Sequence, residues 1–189
     1  RKRFDEPFSE SLRREQLALA VKALQAMQKP GGGFSLWDVN GPESPWLTVY
    51  ATDFLTRAAR LGVIIPRGLL QNALGRELTL VRTPGLRQSW VPDQAQYDFA
   101  VGAYGSYVLA RAGRVSLSDV RRLFNGTSSE LNHSGLPWMH LGLALHLLGD
   151  TERSSVAFAR VTSGTRDQKQ YAGDYGSPLR DVAWILRYV

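Results

Sequence analysis

Cysteine is absent from the 189 residues. Without a thiol the chain can hold no disulfide, no thiolate metal site and no cysteine nucleophile. The redox compartment stays open, since exported proteins can also lack cysteine. Histidine is scarce. Of His133, His140 and His146, the last two lie six residues apart, not at the i, i+4 spacing that sets two imidazoles on one helix face. They read as packing or surface residues, and no metal or other cofactor is expected. No apolar run approaches the roughly 20 residues of a membrane span, so this stretch is not expected to enter a bilayer. No signal-peptide pattern is present, and the chain opens with Arg1, not Met, which reads as a piece cut from something longer.

The formal charge is +6. A basic balance raises the prospect of nucleic acid or a membrane surface as partner. The basic residues are scattered, however. Arg1-Lys2-Arg3 is the one dense run, and Arg13-Arg14 and Arg121-Arg122 are isolated pairs. No aromatic RNA-binding motif or zinc-finger spacing accompanies them, so a solvated surface and no nucleic-acid partner are expected.

Apolar residues, by contrast, make up 43% of the chain. That suffices for the core of a single domain spanning residues 1–189. Nearly every segment has helical spacing. Helices are predicted over Glu10–Gln28, Pro45–Leu61, Arg67–Arg82, Asp93–Ala112, Ser116–Phe124, Pro137–Leu148, Thr151–Thr162 and Pro178–Tyr188. Ser116 and Thr151 suit the cap position, because a hydroxyl can accept from a free N–H of the first turn. Pro45 fits a first turn. No segment alternates as a strand does.

A repeat is visible. Phe54-Leu55-Thr56-Arg57-Ala58 resembles Val108-Leu109-Ala110-Arg111-Ala112, each followed closely by glycine and valine and then a second helix. Leu143 to Gly149 holds the same place before a third. An apolar helix, a glycine turn and a more polar helix therefore recur. Stacked hairpins of this kind make a solenoid or, curved shut, an α/α toroid. The expected fold is all-α. Gly102, Ala103, Gly105 and Ser106 are expected to let inner helices of such a ring approach closely.

Candidate chemistry is thin. Gly31-Gly32-Gly33 is no phosphate loop, because G-x-x-x-x-G-K-[ST] is missing and no strand precedes it. Asp53, Asp98 and Asp181 sit in apolar helices, where paired carboxylates can do acid–base work but more often pair with an arginine such as Arg180. Ser106 and Ser177 lack a nucleophile elbow. Asn125-Gly126-Thr127 and Asn132-His133-Ser134 match the N-glycosylation acceptor, a pattern short enough to arise by chance. Glu15-Gln16 would belong to a Cys-x-Glu-Gln internal thioester, but Arg13 stands where the cysteine would be.

Gln25-Ala26-Met27-Gln28, then Gly32-Gly33-Phe34-Ser35-Leu36-Trp37, Pro45-Trp46-Leu47-Thr48 and Tyr50 to Leu55 together resemble the bacterial α2-macroglobulins, in their complement-like thioester domain. Ser134-Gly135-Leu136-Pro137 with Leu141 to Leu145, and Tyr175-Gly176-Ser177 with Leu179-Arg180-Asp181, continue the likeness in order along nearly the whole chain. The resemblance implies an α/α toroid. The family's thioester motif lies upstream of the glycine–tryptophan element, so this chain would be the larger, C-terminal part of that domain, a truncated or open ring.

It also implies a non-enzymatic scaffold in a broad-range endopeptidase inhibitor, a protease trap that is periplasmic and often lipid-anchored. The implied partners are other domains of the parent and, through the whole molecule, target proteases. A rival reading is a toroid enzyme or carbohydrate-binding domain of the cyclase or lyase type, with Trp90, Tyr97, Tyr104 and Asp98 as its site.

Gly32, Gly33, Phe34, Leu36, Trp37 and Trp46 are expected to form a loop that plugs one end of the ring. Burial of the large side chains would offset the entropy of ordering the glycines. On that expectation Trp37→Ala would cost about 3–5 kcal/mol.

Overall fold

The computed structural model describes residues 9–131, 133–161, 166 and 173–188. The basic run Arg1–Arg3 and Asn132 lie outside the described residues. Eight helices appear among those residues: α1 Glu10–Met27, α2 Pro45–Arg60, α3 Leu69–Arg82, α4 Gln94–Arg111, α5 Leu117–Gly126, α6 Gly135–Leu147, α7 Thr151–Val161 and α8 Pro178–Tyr188. The described extended backbone amounts to two isolated bridges, Gln28 with Phe34 and Ser35 with Glu43. The all-α expectation holds.

The starts are set by caps. The side chains of Ser9, Ser44, Asp93, Ser116 and Ser134 each accept from an amide of the following first turn. One expectation changes. Asp150, not Thr151, caps α7, accepting from the Arg153 amide at 3.2 Å. Thr151 is already the first helical residue, so its hydroxyl stands one position too late.

The repeat corresponds to one turn made three times. After α2, α4 and α6 come Gly62, Gly113 and Gly149, with φ of 81°, 65° and 84°. The next amides, of Val63, Arg114 and Asp150, reach back to the carbonyls of Ala58, Leu109 and Leu145 at 3.0, 2.9 and 2.9 Å. This left-handed closure satisfies the helix-end carbonyls, and glycine adopts it without a Cβ penalty.

Packing alternates between two layers. α2 packs on α4, α4 on α6 and α6 on α8, while α3 rests on α2 and α4, α5 on α4 and α6, and α7 on α6. α4 and α6 bury residues around most of their circumference, whereas α5 buries only Asp119 and Val120, and α7 only Ser154 and Ala157. A helix apolar all round belongs inside, and an amphipathic one belongs outside.

The main core lies between these rows and holds Trp46, Tyr97, Tyr104, Trp138, Leu141 and Leu145. A smaller core under α1 holds Val21, Phe34, Leu55 and Ala73. Tyr50 of α2 and Trp184 of α8 stack at 6.4 Å, so the first and last inner helices meet through side chains.

The glycines of α4 do not join inner helix to inner helix, as expected above. A Cβ on Gly105 would lie 3.0 Å from Val81 of α3, and one on Gly102 would lie 3.3 Å from Leu123 of α5. The close approaches are of an inner helix on its outer neighbours.

Candidate functional site

Three polar constructions stand at or near the inner helices. The first is the loop between α1 and α2. Gln28 ends α1 and donates from Nε2 to the carbonyls of Gly32 and Leu69, at 3.2 and 2.8 Å. Lys29 Nζ donates to the carbonyls of Val39 and Gly41, both at 2.7 Å. The Phe34 amide donates to Thr48 Oγ1 at 3.0 Å, and the Ser44 amide to the Phe34 carbonyl at 2.9 Å.

Gly32 has φ +88°, and a Cβ there would lie 2.2 Å from the Asn72 carbonyl oxygen. A Cβ on Gly33 would meet the Glu43 carboxyl carbon at 2.4 Å, and that carboxylate is held by Arg76. Two of the three glycines are therefore required by close approach, whereas a Cβ on Gly31 meets nothing within 4 Å.

Phe34 and Trp46 are 2% and 5% exposed. The other two large residues of the expected plug are not buried: Trp37 is 84% exposed and Leu36 43%. The physical reason is the turn at residues 38–41. Asp38 Oδ1 accepts from the Asn40 and Gly41 amides, and this closed turn carries residues 36 and 37 on its outer side. The large stability loss expected for Trp37→Ala is thereby overturned.

The second construction centres on Asp53, buried in α2. Arg57 Nε donates to both carboxylate oxygens at 2.9 and 2.8 Å, Arg111 reaches one at 3.1 Å, and Tyr104 Oη donates at 2.8 Å. Arg57 and Arg111 occupy the same place in the sequence repeat, so the repeat itself brings two guanidiniums to one carboxylate. The Tyr104 ring stacks on His140 of α6 at 4.6 Å and meets Trp46 and Trp184 at 5.5 and 5.3 Å. Burial, with Arg180 and Arg57 nearby, pushes the His140 imidazole down to about 3, so it is neutral at ordinary pH.

The third construction fastens the C-terminal helix. Asp181, in the first turn of α8, accepts from Ser134 at 2.6 Å, Arg166 at 2.7 Å and Arg180 at 2.6 Å. Asp174 takes both arginines as well. Ser134 at the same time caps α6. The matched segment divides its work. Ser177 caps α8 through the Arg180 amide. Gly176 leaves room for Arg180 and Arg166, whose guanidiniums would stand 2.5 and 2.6 Å from a Cβ. Tyr175 has φ +52°. Leu179 is exposed.

Sequence reasoning missed Glu77. This residue of α3 is fully buried and neither carboxyl oxygen has a hydrogen-bond partner. Burial, and then the nearby Asp53 charge, raises its pKa well above the usual carboxylate range. The signal was present: Glu77 falls inside the stripe of Leu74, Leu78 and Val81. Arg166 was missed with no signal to find it.

The four residues of the carbohydrate reading do not converge on an open site. Tyr97 and Tyr104 are buried at 1% and 0% exposure. Tyr97 Oη accepts from the Trp46 amide, Asp98 accepts from Gln94, and Trp90 stands at the surface. Among the described residues no group of three or more His, Asp or Glu is placed to hold a metal, and no helix is long and apolar enough to cross a membrane.

No family model matches the chain. The α2-macroglobulin of Escherichia coli K12 is 36% identical over 181 residues, which is 94% of this chain and 11% of that protein. A crystal structure of native E. coli α2-macroglobulin from domain MG7 to the C-terminus superposes with TM-score 0.91 at 34% identity, over 97% of this chain and 29% of that one. A Salmonella α2-macroglobulin reacted with methylamine superposes with TM-score 0.89 at 37% identity, over 97% of this chain and 12% of that one. The chain spans about a ninth of its curated relative's length. It is homologous to the bacterial α2-macroglobulins along almost all of its own length, and matches a region between their domain MG7 and the C-terminus.

Proposed function

We propose that this chain is a structural domain of a bacterial protease inhibitor of the α2-macroglobulin type, and that its contribution is scaffolding. The observation that carries the reading is the superposition on the E. coli protein at 34% identity over nearly the whole chain. The packing supports it. The space between the inner helices is filled by Trp46, Tyr104, His140 and Trp184, with Tyr104 stacked on His140, Trp46 tilted against Tyr104 and Trp184 edge-on to Tyr104, and the buried carboxylates Asp53, Asp174 and Asp181 are each held by arginines.

In this reading the domain is the C-terminal part of a thioester-type region, and the parent is exported to the periplasm. Its partners are the other domains of the parent and, through them, a target protease. The thioester cysteine, where a parent has one, lies outside these residues, since the chain itself has no thiol. The methylamine reaction of the Salmonella protein is in keeping with an electrophilic acyl group in that relative.

The test is to mix the full-length parent with a protease and run a denaturing gel. An SDS-resistant adduct, lost after methylamine treatment, is the outcome expected for a thioester-bearing trap. A trap without a thioester gives protection of large substrates with no adduct. A protease that is neither captured nor restrained ends the inhibitor reading.

A further inference from the structure

Arginines that are scattered along the sequence are gathered by the fold at one end, where α2 and α4 finish. Arg60 closes α2 and donates to the Arg111 carbonyl, at the close of α4, at 2.6 Å. Arg114, in the turn after α4, donates to Gln71 in the first turn of α3 at 2.7 Å. Arg67 stands just before α3. Arg13 of α1 lines a cleft of about 260 Å³ whose wall includes Leu61. All four of Arg13, Arg60, Arg67 and Arg114 are exposed, and among the described residues none of them meets a carboxylate. Glu10, in the same cleft, is taken by Arg14.

An apolar tip stands among these arginines. Ile64 is 91% exposed and Leu61 67%. The tip is held in place by the fold. The amides of Leu61, Gly62 and Val63 reach back to the carbonyls of Arg57, Ala59 and Ala58, at 3.1, 3.1 and 3.0 Å. Val63 and Ile65 pack against the smaller core. With both of its neighbours facing in, Ile64 faces out. A fixed tip has little conformational freedom left to lose on contact, which lowers the cost of binding.

Charge and shape together select the occupant. Guanidiniums free of carboxylates suit phosphate oxygens, which they can meet with two parallel hydrogen bonds. The tip protrudes, so its partner must admit an apolar wedge. An anionic bilayer presents negative charge at its surface and an apolar layer directly beneath, the order in which a protruding isoleucine ringed by arginines meets it. No described helix is long and apolar enough to cross a membrane, so the contact is confined to the interface.

We propose that the end of the fold carrying Ile64 and Leu61 is a contact site for an anionic lipid bilayer. The two apolar side chains enter the headgroup layer, and Arg13, Arg60, Arg67 and Arg114 pair with lipid phosphates. The proposal does not depend on the inhibitor reading, since it rests on this end of the fold alone.

The test places an environment-sensitive fluorescent residue at position 64 of the full-length parent and adds vesicles of phosphatidylglycerol and phosphatidylcholine. A second preparation carries the same probe at Leu179, which is exposed in the first turn of α8, near the start of α2 and away from this end. The probe at 64 is expected to shift to the blue and to be quenched by brominated lipid, and the probe at 179 to do neither. Arg67→Glu together with Arg114→Glu should weaken the response by about tenfold or more, and added salt should weaken it in the same direction. No shift at residue 64, an equal shift with phosphatidylcholine alone, or an equal response at both positions overturns the proposal. A probe at 64 that is already shifted before lipid is added means that protein covers this end, and overturns it too. So does a response reproduced by inorganic phosphate without vesicles, which reduces the site to an anion-binding patch.

Discussion

At the level of single residues, the loop between α1 and α2 shows how small differences in placement decide energetics. Gly31, Gly32 and Gly33 look alike in the sequence, yet only the last two have no room for a side chain. Gly32→Ala combines a left-handed φ with a clash on a backbone carbonyl. It is expected to cost about 2–4 kcal/mol, from overpacking added to the αL penalty, while Gly31→Ala stays within about 0.5 kcal/mol. Thermal unfolding of the two variants compares them directly, and equal melting temperatures would sink the assignment. The tryptophans divide in the same way. Trp46→Ala should cost about 3–5 kcal/mol, as for a buried aromatic. Trp37→Ala should change stability by no more than about 0.5 kcal/mol, its side chain being exposed. That aromatic residues and glycines share this loop was plain from the sequence. Which side of the turn each aromatic faces was not, because the turn at Asp38 is closed by hydrogen bonds that composition does not reveal.

At the scale of elements, all eight helices were legible, with ends within about two residues. The apolar period, Pro45 and Gly62, Gly113 and Gly149 mark them locally. The fastening of α8 was only half legible. Asp181 and Arg180 are neighbours in sequence and their pairing was anticipated, but Ser134 and Arg166 arrive from elsewhere in the chain. Arg166 is almost wholly buried, with a side-chain exposure of 4%. Asp181→Ala leaves that buried guanidinium with one carboxylate fewer and removes the tie between α8 and the cap of α6. Loss of one member of a buried ion network costs about 3–5 kcal/mol. Hydrogen exchange is expected to show α8 amides losing protection before those of α4. Unchanged α8 protection in the variant would mean that the network does not hold the helix.

For the molecule as a whole, carboxyls with opposite shifts contribute to the pH response, Glu77 and Asp119 among them. Glu77 holds its proton more tightly when folded than when unfolded. As pH rises above the ordinary glutamate value, the unfolded chain ionises first, so stability falls with rising pH until the folded group also ionises. Glu77→Gln is expected to flatten that decline and to raise the melting temperature at neutral pH. A variant whose pH profile parallels the parent's would show that Glu77 is already charged in the fold. Asp119 acts on the acid side. Hydrogen bonds from Arg82, opposed by burial and helped by Ser116, hold it down to about 2. Its contribution is present above the usual aspartate value and is lost as pH falls toward 2.

The sequence by itself determined the helical class, the element order, the threefold turn and the likeness to the macroglobulins. All of these rest on local chemistry: apolar period, caps, left-handed glycines and short runs of matched residues. Only the tertiary structure decided what those residues touch. It brought Arg57 and Arg111 of two repeats onto one Asp53 and buried Glu77 without a partner. It turned Trp37 outward beside Trp90 and Tyr175, which lie more than fifty residues further along the chain. Such contacts depend on how helices cross, and the crossing is set by side-chain packing over the whole molecule.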